Sequence, residues 1–113
     1  MSPRQPEAVR ALKGAAPVFA ALGDETRLRL LSRLCGSGPA SIAGLTAGAE
    51  VTRQAVTKHL HVLAGAGLVR SVRRGRERRW ELEPARLDAA HQWLEVISRR
   101  WDAALDRLRA AVE

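Results

Sequence analysis

The chain has 113 residues, 27% charged and 46% apolar, which fits one ordinary folded, soluble domain and excludes a disordered tail. It has no run of about 18 apolar residues to span a membrane, and residues 1–6 lack the charged-then-apolar pattern of a secretory signal. A single cysteine, Cys35, excludes an internal disulfide, a multi-cysteine zinc site and paired-thiol catalysis, and points to the reducing cytoplasm. The formal net charge of +7 is unevenly spread: residues 1–50 carry +2, residues 51–80 carry +7 and residues 81–113 carry −2. A basic middle of this kind is an electrostatic footprint for a polyanion.

Twenty alanines and fifteen leucines favour helix. Residues 1–16 read as an N-terminal arm with a short helix over 7–14 that ends at Gly14. Pro17 suits the first turn of a second short helix, 17–22. Gly23 breaks it, and Asp24 caps the next helix, 25–34, with Leu28, Leu31 and Leu34 on one face. The Gly-Ser-Gly-Pro stretch at 36–39 is a turn. Ser41 caps a short helix over 42–48, and a three-residue link leads to Thr52, the cap of a helix over 53–64 that Gly65 and Gly67 end. Two strand-like segments around Gly75 make a hairpin over 68–82 with a basic tip. Pro84 opens a last helix that runs to Val112. The expected architecture is a single domain over residues 1–113, mostly α with a small β-hairpin (α+β).

On a helical wheel of the 53–64 segment, Ala55, Val56, His59, Leu60 and Leu63 fall in one arc. Arg53, Gln54, Thr57, Lys58 and His61 fall in the other. The second arc holds what base edges in a major groove require: arginine for guanine, glutamine for adenine, an adaptable threonine. With the preceding helix at 41–48 it forms a helix-turn-helix over 41–64, and the hairpin adds a wing. The competing reading is a solvated face on an ordinary helix. Against it stand six arginines in the ten residues 70–79, a crowding that destabilises a fold by self-repulsion.

The strings FAALGDETRLRLLSRL (19–34), VTRQAVTKHLHVLAGAGLV (51–69) and RRGRERRWEL (73–82) resemble the ArsR-type winged helix-turn-helix transcriptional regulators. The resemblance implies a homodimeric repressor on an imperfect inverted repeat of double-stranded DNA. It implies that Arg53, Gln54, Thr57 and Lys58 face the DNA; Thr52, His61 of the polar arc and the arginines around Gly75, Arg73, Arg74, Arg76 and Arg78, are the further expected DNA contacts. His59 would flank the interface or touch phosphate; a half-buried packing histidine is the equal alternative. One departure is Glu50, at the turn where many helix-turn-helix sequences carry glycine. Founding members of the family sense metals through cysteines a residue apart, and residues 41–52 contain none. Of their terminal-helix ligands, Asp88 and His91 are present, but Trp101 and Ala104 occupy the later stretch. His59 and His61, two apart on a helix, cannot chelate together. The expectation is a metal-independent member with no cofactor, answering if at all to an unidentified small-molecule or protein effector. Cys35 is expected to be a buried apolar residue closing its helix.

Along the last helix (84–113) Leu87, Ala90, Leu94, Ile97, Trp101, Ala104, Leu105, Leu108 and Val112 form one stripe. At 1.5 Å per residue the helix is roughly 43 Å long, more than so small a domain can cover. Leu87, Leu94, Ile97, Trp101, Leu105 and Leu108 are therefore the expected dimer contacts. Trp93 and Trp101 could instead line a ligand pocket. Trp80 shares a strand face with Leu82 and packs the hairpin. The sequence has no Gly-rich phosphate loop and no nucleophile elbow, which speaks against an enzyme. Two other readings stay open: an architectural DNA or RNA binder that uses charge alone, and a protein-interaction module whose basic hairpin meets an acidic partner.

Overall fold

Three short polar side chains start three helices. Asp24 Oδ2 accepts from the Arg27 amide at 3.0 Å, Ser41 Oγ from the Gly44 amide at 3.1 Å, and Thr52 Oγ1 from the Ala55 amide at 3.1 Å. They cap α2 (Glu25–Ser37), α3 (Ile42–Thr46) and α4 (Arg53–Gly65), each where the sequence predicts a cap. The Arg27 amide also holds the Asp24 carboxyl below its ordinary pKa. That contribution to stability is complete above the unfolded pKa of the carboxyl and is lost as pH falls through the lowered value.

The computed structural model describes residues 7–112; the first six residues of the expected arm lie outside them. The two short helices expected before Gly23 are one, α1 (Glu7–Leu22), with Pro17 inside it. Proline removes the donor for the Lys13 carbonyl and costs a helix interior on the order of 3 kcal/mol. Packing offsets this: Ala15, Val18 and Ala21 are all buried. α1 lies along α5 (Pro84–Val112), where the Phe19 and Trp93 rings meet edge to face at 5.4 Å. Trp93 is thus a packing residue of the α1–α5 pair.

α2 runs three residues past its expected end, to Ser37, and Gly38, at φ 77°, caps it. Its core face is Leu30 and Leu34 with Leu31 half-buried, while Leu28, expected on that face, is exposed. Cys35, expected to be buried, is also exposed, because it lies off the line of Leu30 and Leu34 that faces the core.

β1 (Val69–Arg74) and β2 (Glu77–Leu82) pair antiparallel in the register Val69↔Leu82, Ser71↔Trp80, Arg73↔Arg78. Gly75, at φ 63°, makes the turn. The buried Trp80 anchors the hairpin, and its backbone exchanges two hydrogen bonds with Ala40, at 3.0 and 2.7 Å, which ties the wing to the segment before α3. Leu30, Leu34, Leu45, Val56, Leu60, Leu63, Leu68 and Val69 make one core between α2, α3, α4 and the hairpin. The result is a mostly helical winged helix-turn-helix. Among the described residues no helix is long and apolar enough to cross a membrane.

Gly67 ends the reach of α4 toward the wing at φ 76°, and a Cβ there would stand 2.6 Å from Arg86 Cγ. Gly67→Ala is expected to lower stability by about 1–2 kcal/mol, the cost of a left-handed L-residue. Chemical denaturation of the two proteins checks it; an unchanged midpoint would refute it.

Candidate nucleic-acid interface

α4 is held by one face and presents the other. Val56, Leu60 and Leu63 are wholly buried, while Arg53, Gln54, Lys58 and His61 are exposed and Thr57 is half-buried. The amino end of a helix carries free N–H groups and partial positive charge, so Arg53 and Gln54 project where an anion is favoured. Both candidate threonines have internal partners. Thr52 Oγ1 is occupied as the cap, and the Thr57 hydroxyl donates to the Arg53 carbonyl at 2.8 Å.

His59 stands apart from the polar face. Its ring is half-buried against α2, where Arg27 Nη1 donates to Nδ1 at 3.3 Å and Asp24 Oδ2 lies 3.8 Å away. Arg27 Nε also donates to the Ala21 carbonyl at the end of α1. This geometry corresponds to the packing alternative for His59. His61 sits at the seam between α4 and the wing, its ring edge to face with Trp80 at 5.8 Å.

The hairpin sorts its six arginines. Arg70 is bracketed by Glu81 at 2.6 Å and Glu83 at 3.2 Å, and these carboxylates raise its pKa. Arg79 pairs with Glu77 at 3.4 Å. Arg73, Arg74, Arg76 and Arg78 have no carboxylate partner among the described residues, and all are exposed. Arg73 and Arg78 face each other across the tip. Like charges directly opposite destabilise a hairpin, unless an anion fills the space between them. The four arginines without a carboxylate partner are those expected from the sequence to meet DNA, and the two paired ones are not among that set.

Sequence reasoning missed two arginines of α2 that hold the motif together, Arg27 and Arg33. Arg33 donates to the carbonyls of Gly44, Leu45 and Ala47. Apart from His59 Nδ1, 32 positions from Arg27, their acceptors are backbone oxygens 6 to 14 residues away, which leave no mark in residue types. Glu50 needs no glycine-like backbone, because Gly48, at φ 74°, supplies the left-handed position of the turn. In α5, His91 Nε2 lies 3.8 Å from Glu95, and no three His, Cys, Asp or Glu side chains come together among the described residues.

The dimer candidates share one uncovered strip. In the single chain Leu94, Trp101 and Leu108 are 47%, 65% and 63% exposed. Leu87 and Leu105 are also exposed, Ile97 is half-buried, and only Ala90 of this helix is buried.

A helix-turn-helix domain model matches residues 22–72. An uncharacterized HTH-type transcriptional regulator of Bacillus subtilis, YuzN, is 42% identical over 67 residues, 54% of this chain and 73% of that protein. An ArsR-like transcriptional regulator from Rhodococcus sp. RHA1 is 39% identical with a TM-score of 0.78, over 92% of this chain and 97% of that one. A winged helix-turn-helix DNA-binding domain from Mycobacterium bovis, described as homodimeric and as a possible ArsR-family regulator, shares the fold. It is 21% identical with a TM-score of 0.65, over 88% of this chain and 90% of that one. These relatives are regulators of transcription and not enzymes. A capped α4 with a polar outer face, a wing tied to its base and these likenesses lead to one conclusion: the chain belongs to the ArsR-like family of winged helix-turn-helix transcriptional regulators.

Proposed function

We propose that this regulator is a cytoplasmic homodimeric repressor that binds an inverted-repeat operator. α4 enters the major groove, where Arg53, Gln54, Thr57 and Lys58 meet bases, and the wing arginines hold phosphate or the flanking minor groove. The observation that carries this reading is the exposed, varied polar face of α4 beside four unneutralised arginines. A binder that used charge alone would have no use for Gln54 and Thr57. The uncovered strip of α5 supports self-association, in keeping with the homodimeric description of the Mycobacterium domain. The missing cysteines at 41–52 and Trp101 and Ala104 in α5 support a metal-independent member that needs no cofactor.

Selection of genomic fragments by the purified protein, followed by sequencing, tests this directly. The recovered fragments should share two half-sites with centres about 34–36 Å apart, one helical turn. Random duplex DNA should compete poorly for them. Fragments without a common motif, displaced equally by random DNA, would establish the architectural-binder reading instead.

A further inference from the structure

Arg33 lies outside every face assigned so far to DNA or to a second subunit. Its guanidinium reaches from α2 to the end of α3, where Nη1 donates to Leu45 O at 2.7 Å and Ala47 O at 3.3 Å, and Nη2 to Gly44 O at 2.8 Å. The end of a helix leaves its last carbonyls without intrahelical donors, and α3 has only five residues. The carbonyls of the segment can be accounted for one by one. Thr46 Oγ1 donates to Ile42 O at 2.6 Å, the Ala47 amide to Ala43 O at 3.1 Å, and the Ala49 amide to Thr46 O at 3.0 Å. The three that remain are the three that Arg33 takes.

These carbonyls open the turn that leads into α4. Beside that turn lies a cavity of about 460 Å³, lined among others by Leu30, Arg33, Leu45, Gly48 and Val51. Val51 holds the far end of the turn on the core, and at its near end, beside the cavity, the guanidinium fork of Arg33 ties the carbonyls to α2. The apolar face of α4 decides which side turns inward, but apolar burial is non-directional and tolerates tilt. A charged fork on fixed carbonyls is directional. Contact with base edges needs placement to roughly 0.5 Å.

We propose that Arg33 is a positioning residue for sequence reading: by fixing the end of α3 against α2, it sets the angle at which α4 meets DNA, without touching a base itself. This rests on the reading of α4 as the reader. The test compares wild type, Arg33→Met and Arg33→Lys on a selected operator fragment and on random duplex across a salt series. Sedimentation and thermal melting monitor the fold.

Arg33→Met is expected to lose about tenfold or more in operator affinity, the scale of one base contact, with random-duplex affinity and salt slope unchanged. Arg33→Lys, which keeps the charge but not the fork, should fall between. Amide hydrogen exchange is expected to quicken across residues 47–51, with the amides of Leu60 and Leu63 still protected. An operator-to-random ratio held by Arg33→Met would overturn the proposal. So would equal losses on both DNAs with a shallower salt slope, which would make Arg33 a phosphate contact. Wild type without operator preference would remove the α4 reading and this proposal together, whereas preference kept in full by Arg33→Met removes only the role of Arg33. Should Arg33→Met not fold, Arg33→Lys must still narrow the ratio and quicken exchange across the turn, or the proposal fails.

Discussion

At micromolar concentration wild type is expected to sediment at twice the single-chain mass, and a chain carrying both Trp101→Glu and Leu105→Glu as a monomer. Neither side chain belongs to the core of its own domain: Trp101 is 65% and Leu105 40% exposed in the single chain. Their replacement opens no cavity, so helix content should survive. In a dimer each large apolar side chain that becomes covered contributes about 1.5–3 kcal/mol, and the strip repeats on both subunits. Four buried carboxylates without partners reverse that sum. Operator affinity should fall with it, by about 10²- to 10⁴-fold, because each half-site then binds without its tethered neighbour. Analytical centrifugation and a binding isotherm on the selected fragment read the two effects separately. A wild-type chain that sediments as a monomer would sink the idea.

The second large effect separates reading from anchoring. Truncation of Arg53 or Gln54 to alanine removes a side chain that is exposed on α4. It should cost on the order of 1–3 kcal/mol per half-site on the operator, and little on scrambled DNA. Truncation of Arg73 or Arg78, opposite each other at the wing tip, should weaken both DNAs alike. It should also lower the salt slope by about one for each phosphate that is no longer neutralised. Arg70→Ala serves as the internal control: with Glu81 and Glu83 at its sides, its removal should change the salt slope least. If Gln54 and Arg73 variants weaken specific and random binding in the same proportion, α4 is not the reader.

Local signals carried far along this chain. Asp24, Ser41 and Thr52 are caps because a short oxygen-bearing side chain before an apolar period can do little else, and all three start helices. The hairpin followed from Gly75 between two basic, β-compatible runs, and α5 from Pro84 and an unbroken stripe. The misses came where distant packing outweighed a local rule. Pro17 is a helix breaker by itself, yet the burial of Val18 and Ala21 carries α1 straight through it. Cys35 and Leu28 are exposed because the core face of α2 runs through Leu30 and Leu34. The polar face of α4 was readable from periodicity. The contacts of Arg27, Arg33 and the Ala40 backbone were not, because their partners are main-chain atoms or, for His59, a residue 32 positions away.

The contact between His59, Arg27 and the Ala21 carbonyl bears on operator architecture. It joins the middle of the reading helix to the end of α1, and α1 lies along α5. In a dimer built on α5 with α4 as the reader, this contact would gear each α4 to the twofold axis and resist its swivelling toward a displaced half-site. One base pair inserted between half-sites moves them apart by about 3.4 Å and turns one about 34–36° around the duplex. A loosely hinged reader would follow that displacement. A geared one would not, so the spacing of this operator would be as much a part of its code as its letters.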